Sequence, residues 1–394
     1  MMLKNVYVAG CVRTPQGSFN GALSGVTAVE LGSVVIRNAL ERAGVDGKEV
    51  DEVFMGNVIG AGLGQNVARQ ASIAAGLGVD VGATTINKVC GSGMRAAIHG
   101  AQAIQCGDAH LVVAGGCESM SNAPYLLYKA RTGYRMGNGE LVDAMIHDGL
   151  WDVYTDQHMG NCGDICARKY DISREEQDNF AIESFTRAIK AWEDGFFARE
   201  TVPVEVKTRK GTTVVDRDED VGKFQGAEKL RALRPAFGKD SMVTAGNASG
   251  INDGASAMVV FDDEKKNALG IKPQARILGH ANAAQESVWF TTSPIHAIRK
   301  LCDRLEIKPG DVDLYEINEA FSVVTIVAMR ELGLDHARVN VAGGAVAFGH
   351  PIGATGARIM TTLINALERQ GKKLGIACAC IGGGEATAIA LERC

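Results

Sequence analysis

Apolar residues recur at helical spacing over residues 29–43 and again over 295–305, and each stretch runs on into a short apolar segment, 50–57 and 312–318, of the kind that forms a buried strand. The two stretches match in detail: Ile-Arg precedes Val-Asp by the same interval in both, from Ile36 to Val50 and from Ile298 to Val312. A second echo follows in the same order. A Gly-rich turn at Cys90 enters a helix ending near Gly107, then a strand over 110–114 and Gly115-Gly116. A Gly-rich turn at His350 enters a helix ending near Gly371, then a strand over 374–380 and Gly382-Gly383-Gly384. The pattern predicts two duplicated α/β units, each a mostly parallel sheet covered by helices. If the halves pack about a pseudo-twofold axis, the Cys90 and His350 turns face each other.

Between the echoes the pattern changes. Residues 125–139 mix Tyr, Arg, Lys and Gly without a period, whereas 173–194 read as a strong helix, with Ser173 as N-cap, Glu176 completing a capping box and Gly195 closing it. The charged run from Lys207 to Asp220 reads as a hairpin or loop, mostly on the solvated surface. So long an excursion inside a duplicated fold predicts a lid or an oligomer contact. The expected organisation is therefore an N-terminal half over 1–120 plus about 251–270, an inserted loop domain over 121–250, and a C-terminal half over 271–394.

Composition narrows the function classes. Of the 394 residues 46% are hydrophobic and 22% charged, as in an ordinary folded protein. A net charge of −5 without a dense Lys/Arg block argues against nucleic acid or an anionic membrane as partner. Residues 1–10 read as a first strand and lack the long apolar core and cleavage site of a signal peptide, and no run is long enough to span a membrane, so a cytoplasmic location is expected. The ten cysteines form no Cys-x-x-Cys pair, which argues against both a structural zinc site and a disulfide framework; no metal is expected.

The chemistry gathers in four short motifs: Val-Cys-Gly-Ser-Gly-Met-Arg (89–95), Asn-Glu-Ala-Phe (318–321), Gly-Gly-Ala-Val-Ala-Phe-Gly-His-Pro-Ile-Gly-Ala-Thr-Gly-Ala-Arg (343–358) and Cys-Ile-Gly-Gly-Gly (380–384). Cys90 sits between a strand and a helix N-terminus, where N–H groups and the macrodipole favour the thiolate. His350, held between Gly349 and Pro351, can take a thiol proton or donate to a thioester oxygen. Cys380 closes an apolar strand before three glycines. Its thiolate could take a proton from a carbon beside a thioester carbonyl, and the N–H of Gly382 could face an oxyanion. Asn318 reads either as an N-cap or as a holder of water or substrate oxygen. Ser249 reads as a turn hydroxyl, and His158 borders the insertion. A Cys, a His, an Asn and a second Cys suggest acyl transfer through a thioester.

In this order, over nearly the whole chain from Val12-Arg13-Thr14-Pro15 to Gly384, these motifs resemble the thiolase family, and within it the biosynthetic acetyl-CoA C-acetyltransferases. The resemblance implies a five-layered αβαβα fold made from two duplicated halves, with an inserted loop domain and commonly a homotetramer built as a dimer of dimers. It implies that Cys90 is the acylated nucleophile, His350 its base, and Cys380 the acid/base for the α-proton of a second acetyl-CoA. Asn318 would hold a water that binds the thioester oxygen with the His350 ring, and the N–H groups of Cys90 and Gly382 would form the other oxyanion hole. Ser249, His158, Met159, Ala320 and Phe321 match positions that contact the pantetheine arm of CoA, and Lys223 stands near where the family often has an arginine for the CoA phosphates. The implied reaction is reversible Claisen condensation of two acetyl-CoA to acetoacetyl-CoA and CoA through an acetyl-cysteine, with acyl-CoA thioesters as substrates and no cofactor. The alternative is a degradative 3-ketoacyl-CoA thiolase for longer chains.

Overall fold

The computed structural model describes residues 4–209 and 211–394. Its main sheet runs in the order Leu314–Ile317, Leu374–Ile381, Glu385–Arg393, Ala275–Ala284, Tyr7–Arg13, Asn252–Phe261, Leu111–Ser119, Glu52–Gly56, Gly82–Ile86. The first four strands come from the C-terminal half and the last five from the N-terminal half. The two groups meet through a short antiparallel ladder, Tyr7 opposite Arg276 and Val8 opposite Ala275.

Helix Ala28–Ala43 covers one face of the N-terminal sheet, and helix Ser293–Arg304 covers the equivalent face of the C-terminal sheet. Between the sheets lie helices Ser92–Cys106 and Ile352–Arg369, packed on each other. Five layers result, in the order αβαβα. The period of two along each strand feeds the separate cores: Val112, Ala114, Met258 and Val260 point to the central helices, while Leu111, Val113, Val259 and Phe261 point to the outer helix. Helix Ile352–Arg369 is buried almost throughout because sheets flank it on both sides. Its first turn lies directly on the N-terminal sheet, where a methyl group at Gly116 would overlap the Gly353 carbonyl.

The sheet is less parallel than the alternation of helix and strand predicts. Parallel pairs are confined to Glu52–Gly56 with its two neighbours and to Leu314–Ile317 with Leu374–Ile381; the remaining pairs are antiparallel. In the C-terminal half the last strand returns through the tight link from Ile381 to Glu385, and only an antiparallel partner can be reached that way; in the N-terminal half the antiparallel return follows the long excursion over 120–251.

Residues 120–251 form the excursion between strands Leu111–Ser119 and Asn252–Phe261, which pair in unbroken register from Asp253 opposite Ser119 to Phe261 opposite Leu111. Helix Arg174–Glu193 begins after Ser173, whose hydroxyl accepts from the Glu176 N–H, and Gly195 follows its end at φ +66°. The capping box is not closed, because the Glu176 carboxylate turns away to Arg330 at 2.5 Å. The charged run is a hairpin, Val204–Thr208 with Gly211–Val215. Asp218 departs from the expected solvated surface: it is buried and accepts from both terminal nitrogens of Arg13, at 2.7 and 2.9 Å. Arg13 also meets Glu200 at 2.6 Å, so one buried guanidinium ties the first strand to the excursion. Arg13→Met would leave two buried carboxylates uncompensated and should cost about 3–5 kcal/mol, read from denaturant midpoints.

Candidate active site

Cys90 lies in the link between strand Gly82–Ile86 and helix Ser92–Cys106, immediately before the Gly91 N-cap. The turn is held tightly. The Ser92 hydroxyl donates to the Val89 carbonyl at 2.6 Å and accepts from the Lys88 N–H at 2.8 Å. Val89 is forced to φ +46°, a region that β-branched residues avoid. The nearby backbone N–H groups of Gly382 and of Cys90 itself favour the thiolate, yet burial outweighs them and pushes the thiol up to about 11. The helix N-terminus therefore does not yield a standing thiolate, as its position alone suggests; Cys90 rests as a thiol and would need a base to act as a nucleophile.

His350, which lines one cavity with Cys90, has the form of such a base. Burial foremost, and then the Arg358 guanidinium, press its imidazole down to about 3, so it is neutral at working pH. Its Nδ1 lies 2.6 Å from the Thr355 hydroxyl, which itself donates to the Pro351 carbonyl at 2.9 Å. Nδ1 therefore carries the proton and Nε2 the lone pair, which faces the Asn318 amide nitrogen at 3.4 Å. Asn318 is not an N-cap, because the next helix, Ser322–Leu332, begins after Phe321. The Asn318 side-chain oxygen is buried without a partner, an acceptor suited to a water or a substrate donor.

Cys380 sits near the end of strand Leu374–Ile381, fully buried, with its side chain in the outer C-terminal core beside Cys378. Burial, together with the charge that Cys90 would carry as a thiolate, holds its own thiol well above the ordinary range.

One cavity of about 240 Å³ is lined by Cys90, His350, His158, Met159, Ser249, Ala320 and Phe321, together with Met120, Phe237 and Ile352. Positions far apart in the chain thus converge on one apolar space. Ser249 is tied to the Asn318 motif, its N–H donating to the Ala320 carbonyl at 3.0 Å. His158 caps helix Met159–Lys169 through Nδ1 at 3.0 Å from the Gly160 N–H, and its ring stacks on Phe237 at 4.5 Å. Asn318, Cys380 and Gly382 lie outside this lining. Asn318 touches it through His350, Gly382 through its N–H near the Cys90 sulfur, and Cys380 through its electrostatic coupling to Cys90.

A second cavity of about 400 Å³ shares Ala245, Ala248 and Gly250 with the first and opens past Lys223 and Lys229. Lys223 is committed to Glu219 at 3.1 Å and to Ser18, which blunts its charge toward a phosphate.

Two further residues, Glu118 and Thr355, belong to the site: no motif marks Glu118, and Thr355 lies inside the 343–358 motif without a role read from it. Glu118, at the end of strand Leu111–Ser119, is fully buried and accepts from the N–H groups of Val58, Ile59 and Gly353 at 2.9–3.2 Å and from the Asn57 amide. Burial lifts its carboxyl to about 7. It joins the loop beside the Cys90 turn to the helix that follows His350. Glu118→Ala should orphan these buried N–H groups and lower the thermal midpoint by several degrees.

Comparison with known proteins adds its own findings. The thiolase N-terminal domain model matches residues 6–264 and the thiolase C-terminal domain model matches residues 271–393. Acetyl-CoA acetyltransferase 1 of Arabidopsis thaliana is 52% identical over 392 residues, covering 99% of this chain and 94% of that protein. Acetyl-CoA acetyltransferase of Escherichia coli strain K12 is 48% identical, covering 99% of this chain and all of that one. Among solved structures, Acat5 thiolase from Ascaris suum in complex with coenzyme A superposes with a TM-score of 0.94 at 44% identity, covering 99% of this chain and 100% of its own. The Bacillus anthracis acetyl-CoA acetyltransferase superposes at 0.97 and 43%, covering 100% and 99%.

Proposed function

Because the chain belongs to the thiolase family through both halves of its length, we propose that its cavity carries the reaction its relatives are named for, the transfer of acetyl between acetyl-CoA thioesters. The observation that carries this reading is the meeting of Cys90 and His350, from opposite halves, in one apolar cavity. Nε2 of His350 takes the Cys90 proton as sulfur attacks the carbonyl carbon of acetyl-CoA. The N–H groups of Cys90 and Gly382, which favour negative charge at the sulfur, receive the developing oxyanion. The C–S bond to CoA breaks, the imidazolium returns its proton to the leaving thiolate, and acetyl remains on Cys90.

In the second half-reaction Cys380 first passes its thiol proton to the neutral His350, and its thiolate takes an α-proton from a second acetyl-CoA, whose thioester oxygen sits toward Asn318. The carbanion attacks the acetyl group on Cys90, the C–S bond to Cys90 breaks, the Cys90 thiolate takes the proton held by His350, and acetoacetyl-CoA departs. Run backwards with CoA, the same groups cleave acetoacetyl-CoA. Nothing in these steps calls for a cofactor.

The pantetheine arm is assigned to Ser249, His158, Met159, Ala320 and Phe321, on the support of their shared lining. The small cavity favours short acyl chains over the longer 3-ketoacyl alternative. Thiolysis kcat/KM should therefore fall by about tenfold or more for each methylene added beyond acetoacetyl-CoA; a profile rising with chain length would refute the short-chain reading.

The division into two halves and an inserted loop domain is supported by the strand pairing that brackets residues 120–251. A homotetramer is supported by the exposed apolar side chains Tyr125, Leu127, Tyr128, Met136 and Leu141 along that insertion, to be weighed by light scattering. A cytoplasmic location is supported by ten free cysteines. Among the described residues no helix is long and apolar enough to cross a membrane.

A further inference from the structure

Arg358 is 1% exposed, and all three of its guanidinium nitrogens are buried without a hydrogen-bond partner. The nearest carboxylate, Glu316, stands 3.7 Å from it, beyond hydrogen-bonding range, and the other Glu316 oxygen is itself unpartnered. An arginine cannot shed its proton under these conditions, so the charge stays.

Its surroundings are the supports of the catalytic groups. The guanidinium lies 4.9 Å from the ring centre of Phe348, two residues before His350. Arg358 is one turn beyond Thr355, which holds His350 Nδ1, on the same helix. Glu316 precedes Asn318 by two positions on the facing strand. The other charged groups around it are already engaged: Arg13 with Glu200 and Asp218, and Glu319 with Ser184 and Asn340.

We infer that Arg358 is a positioning residue of the acyl transfer, an unneutralised buried cation that biases the Cys90–His350 site toward negative charge on sulfur and oxygen and against a standing imidazolium. The inference rests on the thiolase reading of that site. Glu316 makes no hydrogen bond to the cation at 3.7 Å, and burial, acting against the Arg358 charge, holds its carboxyl well above the ordinary range. The Arg358 charge already acts on His350 in the direction required. A protonated His350 facing such a charge gives its proton readily to the leaving CoA sulfur, and an anionic tetrahedral intermediate is favoured for the same reason. Around Cys90 the charged group that opposes a thiolate is Glu118, which is held by the N–H groups of Val58, Ile59 and Gly353 and is not paired with Arg358.

The test reads the pH dependence of Cys90 alkylation by iodoacetamide, with the modified peptide identified by mass spectrometry, in the full-length protein and its Arg358→Lys, Arg358→Gln, Arg358→Met and Glu316→Gln variants. Acetylation of wild-type Cys90 by acetoacetyl-CoA is measured first; its absence would sink the thiolase reading, whereas its presence followed by failure below would sink only the inference. Losing the cation should move the midpoint upward in Arg358→Met and Arg358→Gln, and a midpoint higher by about one pH unit cuts alkylation at pH 8 about tenfold. Arg358→Lys and Glu316→Gln should keep the wild-type midpoint. Loosened packing would instead hydrate the buried thiol and move the midpoint down, so a lowered or unmoved midpoint in the neutral variants overturns the inference. If neither neutral variant folds, Glu316→Gln decides: an unchanged midpoint supports an uncancelled cation, and a lowered one shows that Glu316 had been neutralising it.

Discussion

Cys90→Ser is expected to abolish acetyl-enzyme formation and to lower turnover by at least about 10⁴-fold while leaving the fold and CoA binding intact. The hydroxyl fits where the thiol sits, in a turn fixed by Ser92, so no cavity opens. What is lost is nucleophilicity. A thiol held near 11 by burial can still be deprotonated by a neutral imidazole during attack; a hydroxyl in the same apolar setting lies far beyond reach of a base pressed down to about 3. Incubation with acetoacetyl-CoA and intact-mass measurement decides the matter, because acetyl appearing on the variant at the wild-type rate would assign the nucleophile elsewhere. The same two ionisations predict how wild-type Cys90 responds to pH. Both groups are uncharged between about 3 and about 11, so alkylation should climb steadily from pH 6 to pH 10 without the plateau that a thiolate–imidazolium pair would give.

Cys380→Ser should separate the half-reactions. Acetylation of Cys90 should persist within a few-fold, since Cys380 does not line the acyl cavity, while condensation and thiolysis fall on the order of 10²–10⁴-fold for want of the group that carries the α-proton. Exchange of labelled CoA into acetyl-CoA follows the first half-reaction alone, and acetoacetyl-CoA formation follows both. Equal loss in the two assays would mean that the thiols share one task.

The sequence spoke clearly wherever a local pattern had a local cause. The helices Ala28–Ala43 and Ser293–Arg304 and the turns at Cys90 and His350 follow from periodicity and from glycines that let helix and strand approach closely. The pairing direction of the return strands is hidden, since an apolar run looks the same in either orientation. Asn318 is ambiguous in sequence because nothing there shows that its helix starts four residues later. Glu118 has no signal of its own, and Thr355 and Arg358, although inside the 343–358 motif, show no role there. A buried carboxylate at a strand end and a threonine or arginine on a helix acquire meaning only from what packs opposite them. The resting state of Cys90 shows the same limit. A helix N-terminus is visible in sequence, but the burial that outweighs it is a property of the assembled layers.

Strand Asn252–Phe261 lies between Tyr7–Arg13 and Leu111–Ser119 and hydrogen-bonds to both. Both flanking strands are translated before any of residues 120–251, so until the excursion is complete they wait without the strand that joins them. During that interval two apolar strands present open edges, a state prone to mispairing between nascent chains. Maturation of the N-terminal half is thereby timed by the arrival of residue 261. Slower translation of the excursion should lower the soluble yield, and chaperones that shield exposed strand edges should restore it.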